Sequence, residues 1–144
     1  MEDVYIGKKI RNLSNLIRRK VDKELIDRGI EVTNSQARII GFVYRESLNR
    51  NVYQRDIEEE FDIRRSSVTN ILQLLEKNGY ITRESVEEDA RLKKIVLTKK
   101  GIGIHEIVIK GILEVEESLN SIYSKEELNQ LLNLLDKLFV DLEK

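Results

Sequence analysis

The chain has 144 residues, the size of one ordinary domain, with a formal net charge of −1. Charged residues make up 35% against a usual ~25%, cysteine, proline and tryptophan are absent, and histidine occurs once. These counts exclude a disulfide framework, thiol-based redox sensing, Cys–His catalysis and a zinc site built on Cys or several His ligands.

The first predicted helix runs from about Val4 to Arg28, with Ile6, Ile10, Leu13, Ile17, Val21 and Leu25 at three- and four-residue steps. Thr33 with Gln36 three residues on reads as a capping box opening a helix to about Leu48. A two-turn helix follows from Gln54 to Glu60, ending near Phe61-Asp62, and another from about Arg65 to Asn78, stopped by Gly79 as a left-handed cap. Tyr80–Val86 and Arg91–Thr98 read as strands joined by the acidic turn Glu87-Glu88-Asp89-Ala90. A helix from about Lys99 to Ser121 follows, weakened by Gly101, Gly103 and Gly111. Ser124 and Glu127 form a second capping box ahead of a Leu-rich last helix carrying Leu128, Leu131, Leu132, Leu135, Leu138, Phe139 and Leu142. The class is mainly α with a small β-hairpin wing, in winged helix-turn-helix order. The first and last helices carry more apolar stripe than the middle can cover, so they must pack on each other or on a second subunit.

No apolar run is long enough to span a membrane, and Met1-Glu2-Asp3-Val4 shows no basic region ahead of an apolar core, so a soluble, cytoplasmic protein without a signal peptide is expected. Charge is unevenly spread. Residues 1–30 carry +3, residues 31–53 +1, residues 54–100 zero and residues 101–144 −5. Arg91–Lys100 holds five positive charges and no negative one, and Arg64–Arg83 holds four against Glu76. This separation suits an anionic partner, although a solvated charge mosaic would look the same from charge alone.

On the helix Arg65–Asn78, Val68, Ile71, Leu72 and Leu75 share one arc. Ser66, Asn70, Gln73 and Lys77 lie opposite, with Thr69 and Glu76 at the margin. Amides and hydroxyls on an exposed face can read base edges or bind phosphates, and Arg64 and Arg65 stand where helix amides favour an anion. Asp89 and Arg91, two apart at the wing, can pair and aim the guanidinium at a narrow minor groove, or form only a surface salt bridge worth ~0–1 kcal/mol. Arg83 and Lys93 could reach flanking phosphates. His105, Tyr5, Tyr44 and Tyr53 read as structural residues.

The segment Phe61-Asp62-Ile63, Ser66-Ser67-Val68-Thr69, Leu72, Leu75-Glu76, Gly79-Tyr80-Ile81 and Arg83 resembles the recognition-helix signature of the MarR family of transcriptional regulators. Asp89-Ala90-Arg91, then Leu97-Thr98 and Lys100-Gly101, resembles that family's wing motif in spacing and identity. The resemblance implies a homodimer on a pseudo-palindromic double-stranded DNA operator. Residues 1–30 and 101–144 would be the helical dimerisation region, flanking a winged helix-turn-helix DNA-binding region at 31–100. By position it implies DNA contacts from Arg64, Arg65, Ser66, Ser67, Thr69, Asn70 and Gln73 in the major groove, with Arg91 in the minor groove oriented by Asp89; Lys77 from the exposed arc, and Arg83 and Lys93 from the hairpin, complete the expected DNA-binding set. A repressor released by a small aromatic or amphipathic effector is the implied mode, with no cofactor and no metal. The alternative is a winged-helix module that binds a partner protein and does not read DNA sequence. An enzyme has little support, because no carboxylate falls in a catalytic motif and Ser66-Ser67 has no base at a known spacing.

Overall fold

The computed structural model describes residues 5–144; Val4 and the three residues before it, where the first helix was expected to begin, lie outside the described residues. The elements are α1 (Ile6–Asp27), α2 (Asn34–Ser47), α3 (Gln54–Phe61), α4 (Arg65–Lys77), β1 (Ile81–Val86), β2 (Asp89–Leu97), α5 (Lys99–Asn120) and α6 (Lys125–Leu142). Contacts divide the chain into two units, one of residues 25–110 and one of the residues up to Glu24 with Gly111–Lys144.

The core of the first unit is built from α2, α3, α4 and the hairpin. Ile39, Ile40, Val43, Val52, Ile57, Val68, Leu72, Leu75, Ile81 and Ile95 are buried almost completely. Both expected capping boxes form: the Thr33 N–H donates to Gln36 Oε1 at 2.9 Å and the Gln36 N–H to Thr33 Oγ1 at 3.2 Å. At α6 the Ser124 N–H donates to Glu127 Oε1 and the Glu127 N–H to Ser124 Oγ. Between α3 and α4 the chain turns on Asp62, whose φ of 49° is left-handed. Aspartate tolerates that region better than most side chains. Gly79, with φ 81°, ends α4 as its position predicts, letting the Tyr80 N–H reach back to Leu75 O at 2.9 Å.

The hairpin differs from expectation at its tip. β2 begins at Asp89 rather than Arg91, so the turn is Glu87-Glu88 alone. The pairing runs from Ile81↔Leu97 to Ser85↔Lys93, then slips so that Val86 faces Asp89. That irregularity passes over residues 90–92 of β2 between the two pairs. On its other edge β2 is tied to the segment before α3. The Ile95 N–H donates to Val52 O at 2.7 Å, and Tyr53 bridges Lys94.

The start of α5 explains two residues of the wing motif. Lys100 Nζ donates to Asn78 O at 2.8 Å, placing a cation at the carbonyl end of α4, and lies 4.6 Å from the Tyr80 ring centre. Gly101 passes so close to Tyr80 O that a Cβ there would overlap the carbonyl. The glycine that weakens α5 as a helix is therefore required by packing. Further along, His105 is buried and stacks on Tyr44 with ring centres 4.3 Å apart. Burial, with help from the Arg45 charge and against that of Glu106, pushes its pKa below the usual imidazole value.

The second unit contrasts with this. Ile6, Ile10, Leu13 and Ile17 of α1 are exposed, and α6 has no buried residue. Phe139 is 64% and Leu142 75% exposed, so the stripes expected from the sequence exist but face outward.

Candidate nucleic-acid interface

The face assignment of α4 follows its period. Val68, Leu72 and Leu75 are buried and Ile71 half-buried, which leaves Ser66, Ser67, Asn70, Gln73 and Lys77 exposed and Thr69 and Glu76 at the margin. Arg64 is the N-cap residue, with extended backbone (φ −60°, ψ 143°), and both Arg64 and Arg65 are exposed at the helix start. The exposed surface thus runs from two guanidiniums through hydroxyls to amides, the groups that bind phosphates and base edges.

Beside this face opens a groove of about 430 Å³ that borders α3, α4 and the wing. Arg55, Arg65, Arg83, Arg91 and Lys93 line it, with Glu58 as its carboxylate. At the wing, Asp89 Oδ1 accepts the Arg91 backbone N–H at 2.9 Å and faces Arg91 Nε at 3.3 Å. The Arg91 side chain is nonetheless 92% exposed, so the pair sets its direction and leaves it accessible. Lys93 Nζ donates to Ser85 Oγ at 2.7 Å across the hairpin.

Two residues singled out in the sequence are engaged within the fold, and a third lies away from the groove. Arg83, expected to reach phosphates, donates from Nε and Nη2 to the two Glu76 oxygens at 3.3 and 3.1 Å, and so ties β1 to α4. That donation holds the Glu76 carboxyl below the usual range despite its partial burial. Thr69 Oγ1 donates to Arg65 O at 2.9 Å and accepts from Gln54 Nε2 at 2.8 Å, so its hydroxyl is occupied within the fold. Lys77 stands at the opposite end of α4 from Arg65, roughly 18 Å away at 1.5 Å per residue. There it borders a separate depression with Glu31, Gln36, Asn78 and Lys100. The sequence reading missed Gln54 and Arg55. Their importance comes from the bond of Val52 to β2, which sets the start of α3 beside the wing and which no local pattern signals.

A family model described as "MarR family" matches residues 29–92. A solved structure from Clostridium acetobutylicum, described as a MarR family transcriptional regulator, is 31% identical with a TM-score of 0.73, covering 96% of this chain and 99% of that one. The chain belongs to the MarR family. MepR, a transcription regulator of the Staphylococcus aureus multidrug efflux pump MepA, is 28% identical with a TM-score of 0.83, covering 95% of this chain and 98% of that one. A MepR–DNA complex matches at 28% identity and TM-score 0.79, covering 97% and 99%. The Escherichia coli HTH-type transcriptional regulator PapX is 43% identical over 47 residues, 33% of this chain. That matched segment spans only 29% of PapX, less than a third of its length. MarR-family transcription regulators are non-enzymatic DNA-binding proteins, and the winged helix-turn-helix of this chain is of that kind. Among the described residues no cluster of three or more His, Cys, Asp or Glu could hold a metal ion, and no helix is long and apolar enough to cross a membrane.

Proposed function

We propose that this MarR-family chain is a cytoplasmic homodimeric repressor that reads a pseudo-palindromic operator and is released by a small aromatic or amphipathic ligand. The observation that carries the DNA reading is the continuity of the polar face of α4 with the cationic groove and wing. Ser66, Ser67, Asn70 and Gln73 face the major groove, Arg64 and Arg65 hold the backbone at the helix start, and Arg91, aimed by Asp89, enters the minor groove. Lys93 contacts a flanking phosphate. Arg83 and Thr69 act through their ties to Glu76 and Gln54, and Lys77 adds positive potential at the far end of α4. Residues 31–100 form the reading region. Residues 1–30 and 101–144 form the dimer, supported by the uncovered apolar faces of α1 and α6.

The test is a fluorescence-anisotropy titration against operator duplex selected from a random pool. Arg91→Ala weakens binding with little change in melting temperature, because its pair with Asp89 is exposed. Asn70→Ala relaxes base preference by about 1–3 kcal/mol at the base it reads. Unchanged affinity in Arg91→Ala refutes the wing assignment. Addition of phenolic compounds to the complex tests release, and a complex indifferent to all of them refutes ligand control of this type.

A further inference from the structure

We infer that the first turn of α3 is a second clamp on the DNA backbone, in which Arg55, with Arg65 and Lys93, holds a duplex phosphodiester in the groove beside the wing and Glu58 weakens that hold. The inference rests on the DNA reading above and extends it to residues outside the recognition helix and wing motif.

Placement is the first support. The start of α3 is fixed by backbone bonds rather than by a loose loop: Val52 O accepts from the Ile95 N–H, Tyr53 bridges Lys94, and the Tyr53 N–H donates to Asp56 Oδ2 at 2.8 Å. Asp56 is itself held by Arg50 Nη1 at 3.0 Å. Arg55 therefore keeps a constant relation to Lys93 one residue from that bridge. Its guanidinium lies 5.8 Å from the Tyr53 ring centre, which restrains the side chain without neutralising it. On the other wall, Gln54 Nε2 bonds Thr69 Oγ1 and approaches Arg65 O at 3.4 Å, so the first turn of α4 is pinned to the first turn of α3.

Charge is the second support. Of the five cations in the groove, Arg83 is engaged by Glu76 and Arg91 by Asp89. Among the described residues Arg55 and Arg65 make no ion pair, and the Lys93 ammonium meets a hydroxyl. Three cations thus face one carboxylate, Glu58, in a concave site where fields are focused. The groove borders the same α4 turn that presents Arg65 and Ser66, so an anion there belongs to the backbone flanking the bases that α4 reads.

The experiment compares the full-length chain with Arg55→Gln, Arg55→Lys and Glu58→Gln on the selected operator and on a shuffled duplex of equal length, between about 50 and 200 mM salt. Arg55→Gln is expected to weaken both duplexes by the same factor and to flatten the log–log salt slope by ~0.9 per site, the loss of one phosphate contact. Arg55→Lys keeps the slope, and Glu58→Gln tightens both duplexes without changing which is preferred. A wild-type slope in Arg55→Gln, a loss confined to one duplex, a flattened slope in Arg55→Lys or no tightening in Glu58→Gln overturns the clamp. If the wild-type chain binds neither duplex, the DNA reading falls and the clamp with it. If the wild type binds and Arg55→Gln matches its slope, the clamp alone falls.

Discussion

On α4, Val68, Leu72 and Leu75 of the apolar arc are buried and Ile71 is half-buried, while on α6 an apolar stripe of equal regularity buries no residue at all. The winged unit closes its core within one chain and turns cations and amides outward. The α1 and α6 faces leave leucines, isoleucines and Phe139 exposed. Periodicity in a sequence therefore says which face of a helix is apolar and not what covers it. In the dimer proposed above, a second copy covers those faces, and the two regions should answer differently to mutation.

The largest effect is expected at the finished core. Leu72→Ala should cost about 2–5 kcal/mol, measured by urea unfolding, and the loss should be the same at every protein concentration. Leu135→Asp on α6 should instead shift sedimentation from dimer to monomer, with a loss of stability that depends on protein concentration. Equal, concentration-independent losses in both variants would erase the contrast. Gly101→Ala comes next, at about 1–3 kcal/mol, because the added methyl runs into the Tyr80 carbonyl. A gain in stability there, the usual result for glycine to alanine in a helix, would show that the close approach is absent.

The smallest effect is pH dependence through His105. Its folded pKa lies below the ordinary 6.5, so just below that pH the unfolded chain binds a proton that the folded chain refuses. Stability is therefore full above pH 6.5, falls as the solution is acidified through that value, and stops falling on this account once the folded pKa is passed. His105→Gln should flatten that part of the curve in thermal melts across pH. An unchanged slope would place the titrating group elsewhere.

Local rules made most of the fold legible. The Thr33–Gln36 and Ser124–Glu127 boxes mark the starts of α2 and α6, Gly79 marks the end of α4, and the three- and four-residue steps assign its inner face. The pairing of Asp89 with Arg91 was readable from their spacing of two at the wing. What escaped depends on long-range contact. Gln54 meets Thr69 across 15 residues, and the start of α3 joins β2 through Val52 and Ile95. Arg83 pairs with Glu76 of the neighbouring helix, a structural tie that its place on the hairpin does not announce. The early start of β2 at Asp89 depends on a register slip, which side-chain alternation does not encode.

The central claim is that two copies of the winged unit, joined through the outer helices, read duplex DNA. Selection of bound fragments from a random duplex pool, followed by sequencing, tests it most directly. The account predicts enrichment of an inverted repeat whose half-site centres lie about one helical turn apart, roughly 10 base pairs. Enrichment of no sequence, or of a single half-site without its repeat, would contradict it.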